Sequence, residues 1–181
     1  CLTASARSAD PMARRTSLRE FQENLARRLS EARTGDHRGL LGFQAGDENW
    51  LIDLADSGEI LPPPAFVPVP LTRPWFRGLA NVRGTLHGVI DFAGLHGQPP
   101  IHPAGQARLL LVGTRQGVNS ALLVSRASGL RSADDFRPAT PIEDARPWAG
   151  AHLRDSQGHL WHKLDVARLL AHPQFLDAGA D

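Results

Sequence analysis

The chain has 181 residues, 41% hydrophobic and 22% charged, with one cysteine and a net charge of +1. At roughly 150 residues per domain this is about one domain's worth of sequence, enough to bury a sizeable core without staples. The near-neutral balance argues against a nucleic-acid coat, one cysteine excludes an internal disulfide or a cysteine-built zinc site, and apolar runs such as Leu109–Val112 fall far short of the ~20 residues of a membrane span.

Residues 1–15 are small and polar and are expected to be a disordered leader. The stretch through Pro11 reads as lying upstream of a start at Met12, and Cys1 as outside the functional chain. Ser17-Leu18-Arg19-Glu20 has the form of a capping box, in which serine and glutamate satisfy each other's orphan backbone donors. Behind it Leu18, Phe21, Leu25, Leu29 and Ala32 recur at steps of three and four, which predicts an amphipathic helix over 16–34, closed near Gly35.

From residue 40 the pattern changes to short strands. Leu41, Phe43 and Ala45 alternate with their neighbours, as do Trp50, Ile52 and Leu54 beyond the turn Gly46-Asp47-Glu48-Asn49, so the two runs make a hairpin. Prolines 62, 63, 64, 68, 70 and 74 then force an extended connection. Arg108–Thr114 and Ser120–Val124 form another pair, and the run Leu109–Val112 is apolar on both faces and therefore buried on both. Residues 131–147 read as a polar loop or inter-lobe connection, and a short helix over Val166–Ala171 stops before Pro173.

One internal repeat carries more information than these local readings. Gly84–Ala93 and Gly158–Ala167 share the pattern G-x-L-x-x-x-φ-D-φ-A, with φ apolar, at a separation of 74 positions. Each copy follows a tryptophan (Trp75, Trp148) and a glycine (Gly78, Gly150), and each ends at a histidine beside a breaker (His96-Gly97, His172-Pro173). The physical content is a strand, a glycine-bearing turn, a second strand, then an aspartate that caps a helical turn. Two copies imply two similar small β lobes in one chain.

No phosphate loop, dinucleotide glycine pattern or nucleophile elbow is present. His159 and His162 are the closest histidine pair, but their odd spacing on a strand sends them to opposite faces, and His87 and His96 flank different elements, so no metal or catalytic histidine set is read. Asp53, Asp91 and Asp165 have structural work as a strand-end residue and as two caps. Trp50, Trp75, Trp148 and Trp161 are assigned to packing rather than to stacking on bases. What remains is Gly78–Gly84, a strand and turn with one arginine between apolar residues, suited to a protein interface.

The segment Gly78–Phe92, G-L-A-N-V-R-G-T-L-H-G-V-I-D-F, resembles the signature of the CheW family of chemotaxis coupling proteins, approximately G-h-h-N-h-R-G-x-h-h-x-h-h-D-h with h apolar. Val67-Pro68-Val69-Pro70 resembles the family's V-P stretch, and the strand pair around Leu109–Val124 and the closing Leu164-Asp165-Val166 fit its second half. The resemblance covers 38–178, and the N-terminal helix with Trp75-Phe76-Arg77-Gly78 suggests the branch linked to type IV pilus twitching motility. It implies a mainly β fold of two five-stranded barrels packed together, with an N-terminal helix and short helices. It implies no enzyme activity, no cofactor and no metal. The implied partners are the signalling domain of methyl-accepting chemoreceptors and the regulatory domain of a CheA-type histidine kinase, at receptor arrays on the cytoplasmic side of the inner membrane, without insertion into it. Asn81, Val82, Arg83 and Gly84, with Val67 and Val69, then become the expected partner-binding residues. At Val124-Ser125-Arg126 the chain departs from the many members that carry an acidic residue after the valine. The reading from another class is a small β-barrel that binds nucleic acid.

Overall fold

The structure, a computed structural model, describes residues 39–179. The leader and the helix expected over 1–34 lie outside the described residues. The strands are β1 (Gly39–Ala45), β2 (Glu48–Asp53), β3 (Ser57–Leu61), β4 (Phe66–Val67), β5 (Phe76–Val82), β6 (Thr85–Asp91), β7 (Arg108–Val112), β8 (Ser120–Val124), β9 (Arg126–Ser132), β10 (Phe136–Pro138), β11 (Ala149–Asp155) and β12 (Leu160–Leu164). Two short helices follow strands, α1 (Phe92–Leu95) after β6 and α2 (Val166–Ala171) after β12, and α3 (Pro173–Leu176) follows α2.

The strands form two six-stranded sheets, ordered β10-β11-β12-β2-β1-β9 and β4-β5-β6-β8-β7-β3. Written this way the two orders correspond strand for strand. In each, two antiparallel hairpins are joined through a parallel pair, β12 with β2 and β6 with β8. The mainly β, two-lobed fold expected from the sequence is what the chain adopts, with six strands per sheet in place of five and the two short strands β4 and β10 at corresponding rims.

The repeat has a shared mechanical basis. The main-chain N–H of Asp91 donates to the Trp75 carbonyl at 2.7 Å, and that of Asp165 donates to the Trp148 carbonyl at 2.8 Å. Both ladders slip at the same place, between Phe76 and Gly78 and between Ala149 and Ala151. Each aspartate then caps the helix behind it, accepting from Gly94 N at 2.9 Å or from Arg168 N at 3.0 Å. The two caps differ in depth. Asp91 has no exposed surface and also accepts from Ile101 N at 2.7 Å and from Arg77 Nη1 at 3.0 Å. Asp165 is 38% exposed and, among the described residues, pairs with Arg168 alone.

Phe43, Trp50 and Ile52 of one sheet, Val89, Leu109 and Leu122 of the other, and Phe92 and Leu169 of the helices fill one shared core. Leu40, Leu51, Phe136 and Trp161 make a smaller cluster on the other face of the first sheet. Two local readings change. Residues 131–147 hold the end of β9 and all of β10: β9 is an edge strand exposed along nearly its whole length, so no alternation of apolar residues announces it. Pro173 does not merely stop α2; it opens α3 at the first helical position, where its missing N–H costs nothing, while His172 Nδ1 accepts from Gln174 N at 3.2 Å.

The unequal depth of the two caps has a measurable result. Asp91→Ala strands two buried N–H donors and a half-buried guanidinium, and is expected to cost about 3–5 kcal/mol in urea unfolding. Asp165→Ala loses an ordinary cap, about 1 kcal/mol. Equal losses would contradict this assignment.

Candidate interaction surface

Val82 pairs with Thr85, which leaves Arg83 and Gly84 as a two-residue loop between β5 and β6. Such a loop matches the twist of its strands when both residues take positive φ, and here φ is 52° for Arg83 and 85° for Gly84. Glycine adopts this freely, whereas an arginine in the left-handed region costs about 1 kcal/mol. Asn81 Oδ1 closes the turn by accepting from Gly84 N at 2.8 Å. The Arg83 side chain is 79% exposed and pairs with Glu59 at 2.7 Å. Of the residues singled out from the sequence, Asn81, Arg83 and Gly84 sit at this exposed tip and Val67 stands 71% exposed on β4. Val69 is half-buried, and its carbonyl accepts from the Thr72 hydroxyl at 2.7 Å. Val82 points into the core, so it can offer a partner only its backbone.

Below the tip the outer face of the sheet is apolar. Val67 lies opposite Leu79, Leu79 opposite Gly88, and Asn81 opposite Leu86, so these side chains share one face. Leu79 is 38% and Leu86 58% exposed, and Leu71, beyond β4, is exposed as well. Gly78, Ala80 and Val82 take the inward positions of β5. Gly78 is required there: its φ is 131°, and a Cβ would collide with the Val67 carbonyl oxygen, so glycine is what lets β4 approach. Sequence reasoning missed Leu79 and Leu86. Period-2 alternation separates two faces without saying which is wet, and the small inward residues were the only clue.

A second group of polar side chains lies on the other sheet. Arg146 donates to both Glu48 oxygens, at 2.8 and 3.0 Å, and to both Asp144 oxygens, at 2.8 and 2.7 Å. Its guanidinium also stands over the Trp50 ring, 5.0 Å from the centroid. Those hydrogen bonds hold Asp144 well below the usual carboxylate range, and Glu48 is lowered too, because Arg146 outweighs the upward push of burial. His96 is stacked between Trp50 and Trp148, with centroids 5.2 and 5.8 Å away. Trp148 Nε1 donates to His96 Nε2 at 3.0 Å, so the imidazole proton resides on Nδ1, facing Glu48 at 3.7 Å. Burial pushes His96 down to about 4, with the Arg146 charge adding to it, and burial also lowers His162.

The remaining candidates resolve structurally. Asp53 pairs with Lys163 at 3.2 Å. Ser125, where many members of the resembled family carry an acid, accepts from Gly46 N at 3.0 Å and so pins the β1–β2 turn. His159 lies in the turn before β12, bonded to Asp155. All four tryptophans are buried and offer no face on which a base could stack.

The architecture defines a mainly β domain made of two matching lobes, one of which exposes an apolar face. The chain belongs to the CheW-like domain family, whose model matches residues 39–174; it is a family of non-catalytic scaffold proteins. It is similar to the protein PilI of Pseudomonas aeruginosa (strain PAO1), 27% identical over 141 residues, covering 77% of this chain and 79% of that protein. Its fold is similar to the crystal structure of the scaffolding protein TtCheW from Thermoanaerobacter tengcongensis, with a TM-score of 0.63 at 17% identity, over 76% of this chain and 94% of that one. No helix among the described residues is long and apolar enough to cross a membrane.

The buried His96 sets a pH dependence. Its pKa is about 4 when folded against an ordinary value of 6.5, so on acidification the unfolded chain takes up a proton that the folded chain refuses. The stability this histidine allows is complete above pH 6.5 and lost as pH falls toward 4. Urea unfolding is expected to show a loss of about 2 kcal/mol between pH 7.5 and pH 5. His96→Gln, which can still accept from Trp148, is expected to flatten the profile.

Proposed function

We propose that this chain is an adaptor that couples the signalling domain of a methyl-accepting chemoreceptor to the regulatory domain of a CheA-type histidine kinase, in a chemotaxis-like pathway that controls type IV pilus twitching motility. It would act at receptor arrays on the cytoplasmic side of the inner membrane. Membership of the CheW-like family over residues 39–174 and similarity to PilI support the pathway. The observation that carries the site is the outer face of β4, β5 and β6, where Val67, Leu79 and Leu86 lead to Arg83.

The physical reasoning is that this face combines an anchor with a charge. Exposed leucines and valine supply apolar area that a partner can desolvate, and arginine is favoured at the centre of interfaces. Arg83 is held in a conformation that glycine or asparagine would adopt at less cost, and strain of that kind persists where it serves contact. In this reading the surface is a sheet face and not a strand edge, because β4 is only two residues long and gives a partner strand little to pair with. Binding two proteins at once links their conformational equilibria, which is how a molecule without catalytic groups changes kinase output.

Reconstitution from purified receptor signalling fragment, kinase and this chain tests the reading. A ternary complex and a change in kinase activity are expected, and the absence of both would refute it. Leu86→Asp is expected to weaken assembly at least about 10-fold without unfolding the chain. Arg83→Asn is expected to raise stability by up to about 1 kcal/mol while weakening assembly.

A further inference from the structure

His152 on β11 and His162 on β12 are directly opposite in the antiparallel register. That relation puts both side chains on one face with Cβ atoms about 5 Å apart, and the rings meet at 82° with centroids 5.0 Å apart. Asp144 reaches the same spot from the segment between β10 and β11. Its Oδ2 lies 3.3 Å from His152 Nε2 and 3.7 Å from His162 Nδ1, and the three atoms all lie within 4.8 Å of one another. Donor atoms about 2.0–2.1 Å from a tetrahedral ion stand roughly 3.4 Å apart, so these atoms need only small shifts to share one.

His162 Nδ1 is buried and has no hydrogen-bond partner among the described residues, although its side chain is only 9% exposed. A buried ring nitrogen without a partner is rare enough to call for a use. Across the same ring, His162 Nε2 faces Glu48 Oε1 at 3.7 Å. Arg146 bonds to both carboxylates, yet two carboxylates against one guanidinium leave the group with a net negative charge. Asp144 Oδ2 accepts from Arg146 at 2.7 Å and shares a 3.3 Å hydrogen bond with His152 Nε2, whose proton an ion would replace. A cleft of about 580 Å³ lined by Glu48, Ile142, Asp144, Arg146 and His162 lies beside this place.

The geometry points to a divalent transition-metal site formed by Asp144 Oδ2, His152 Nε2 and His162 Nδ1, with imidazole and carboxylate donors of the kind that hold Zn²⁺ or Co²⁺. A bound ion ties the segment after β10 to the β11–β12 hairpin. The site lies on a different sheet from the β5–β6 tip, so its test is independent of the adaptor reading.

The experiment uses the full chain carrying Cys1→Ser, to remove the thiol as a competing ligand, stripped with a chelator. It is titrated with Co²⁺, followed by visible absorption, and with Zn²⁺, followed by calorimetry and thermal unfolding. One equivalent is expected to bind with a rise in melting temperature. His152→Asn and His162→Asn are each expected to weaken binding at least 10-fold and to abolish the thermal shift, while His102→Asn behaves as the parent. Should His162→Asn fail to fold, the less buried His152→Asn decides the matter. Absence of saturable binding at one equivalent, or binding that neither histidine substitution weakens, overturns the proposal.

Discussion

A carboxylate with no exposed surface organises the lobe that carries the exposed apolar face. Asp91 ends β6, caps α1, receives the Ile101 N–H and holds the Arg77 guanidinium. Arg77 in turn donates to the Ile101 carbonyl at 2.9 Å and stands 5.7 Å from the centre of the Phe66 ring on β4. A path of direct contacts therefore runs from the core to the residue beside Val67. Burying a carboxylate is tolerable only when its acceptor sites are filled, and filling them fixes the start of β5, the first turn of α1 and the loop beyond it. The exposed face of β4, β5 and β6 inherits its geometry from that requirement.

The two copies of the repeat show how one scaffold diverges. Both keep the tryptophan carbonyl, the slipped ladder and the capping aspartate. Their tips differ. In the first copy the turn is two residues long and pushes an arginine outward. In the second the connection is longer and folds over Asp155, whose Oδ1 accepts from Gln157 N and His159 N, each at 2.9 Å. Leu86 is exposed where its counterpart Leu160 is half-buried, and Gly88 leaves bare the position at which the second copy places His162. One sheet turns an apolar face to its surroundings while the other gathers histidines and carboxylates.

Much of this was legible in the sequence because local chemistry dictated it. The β1–β2 hairpin follows from alternation around a Gly- and Asn-bearing turn, the β7–β8 pair from two short apolar runs around another such turn, and the caps from an aspartate at the same place in both copies. What stayed hidden depends on relations between strands. Leu79 and Leu86 look like core residues until the neighbouring sheet takes up Ala80 and Val82 instead. His152 and His162 are ten positions apart in sequence, and only the hairpin register sets them face to face. The strand β9 lacks any apolar rhythm because both of its faces are wet. Side-chain composition carries burial; register and sheet order come from the whole chain.

The strand order also has a temporal side. Every strand of the second sheet lies between residues 57 and 124, whereas the first sheet is drawn from both ends of the domain and closes through the parallel pairing of β2 with β12. On the order of a hundred residues separate those two partners, a non-local contact of the kind that slows folding. During synthesis from the N-terminus, the second sheet emerges complete while β2 still awaits its neighbour, with one row of its backbone groups unpaired. The lobe that is first in sequence is thus the last to be finished, and it is the nascent chain's point of exposure to aggregation and to chaperones.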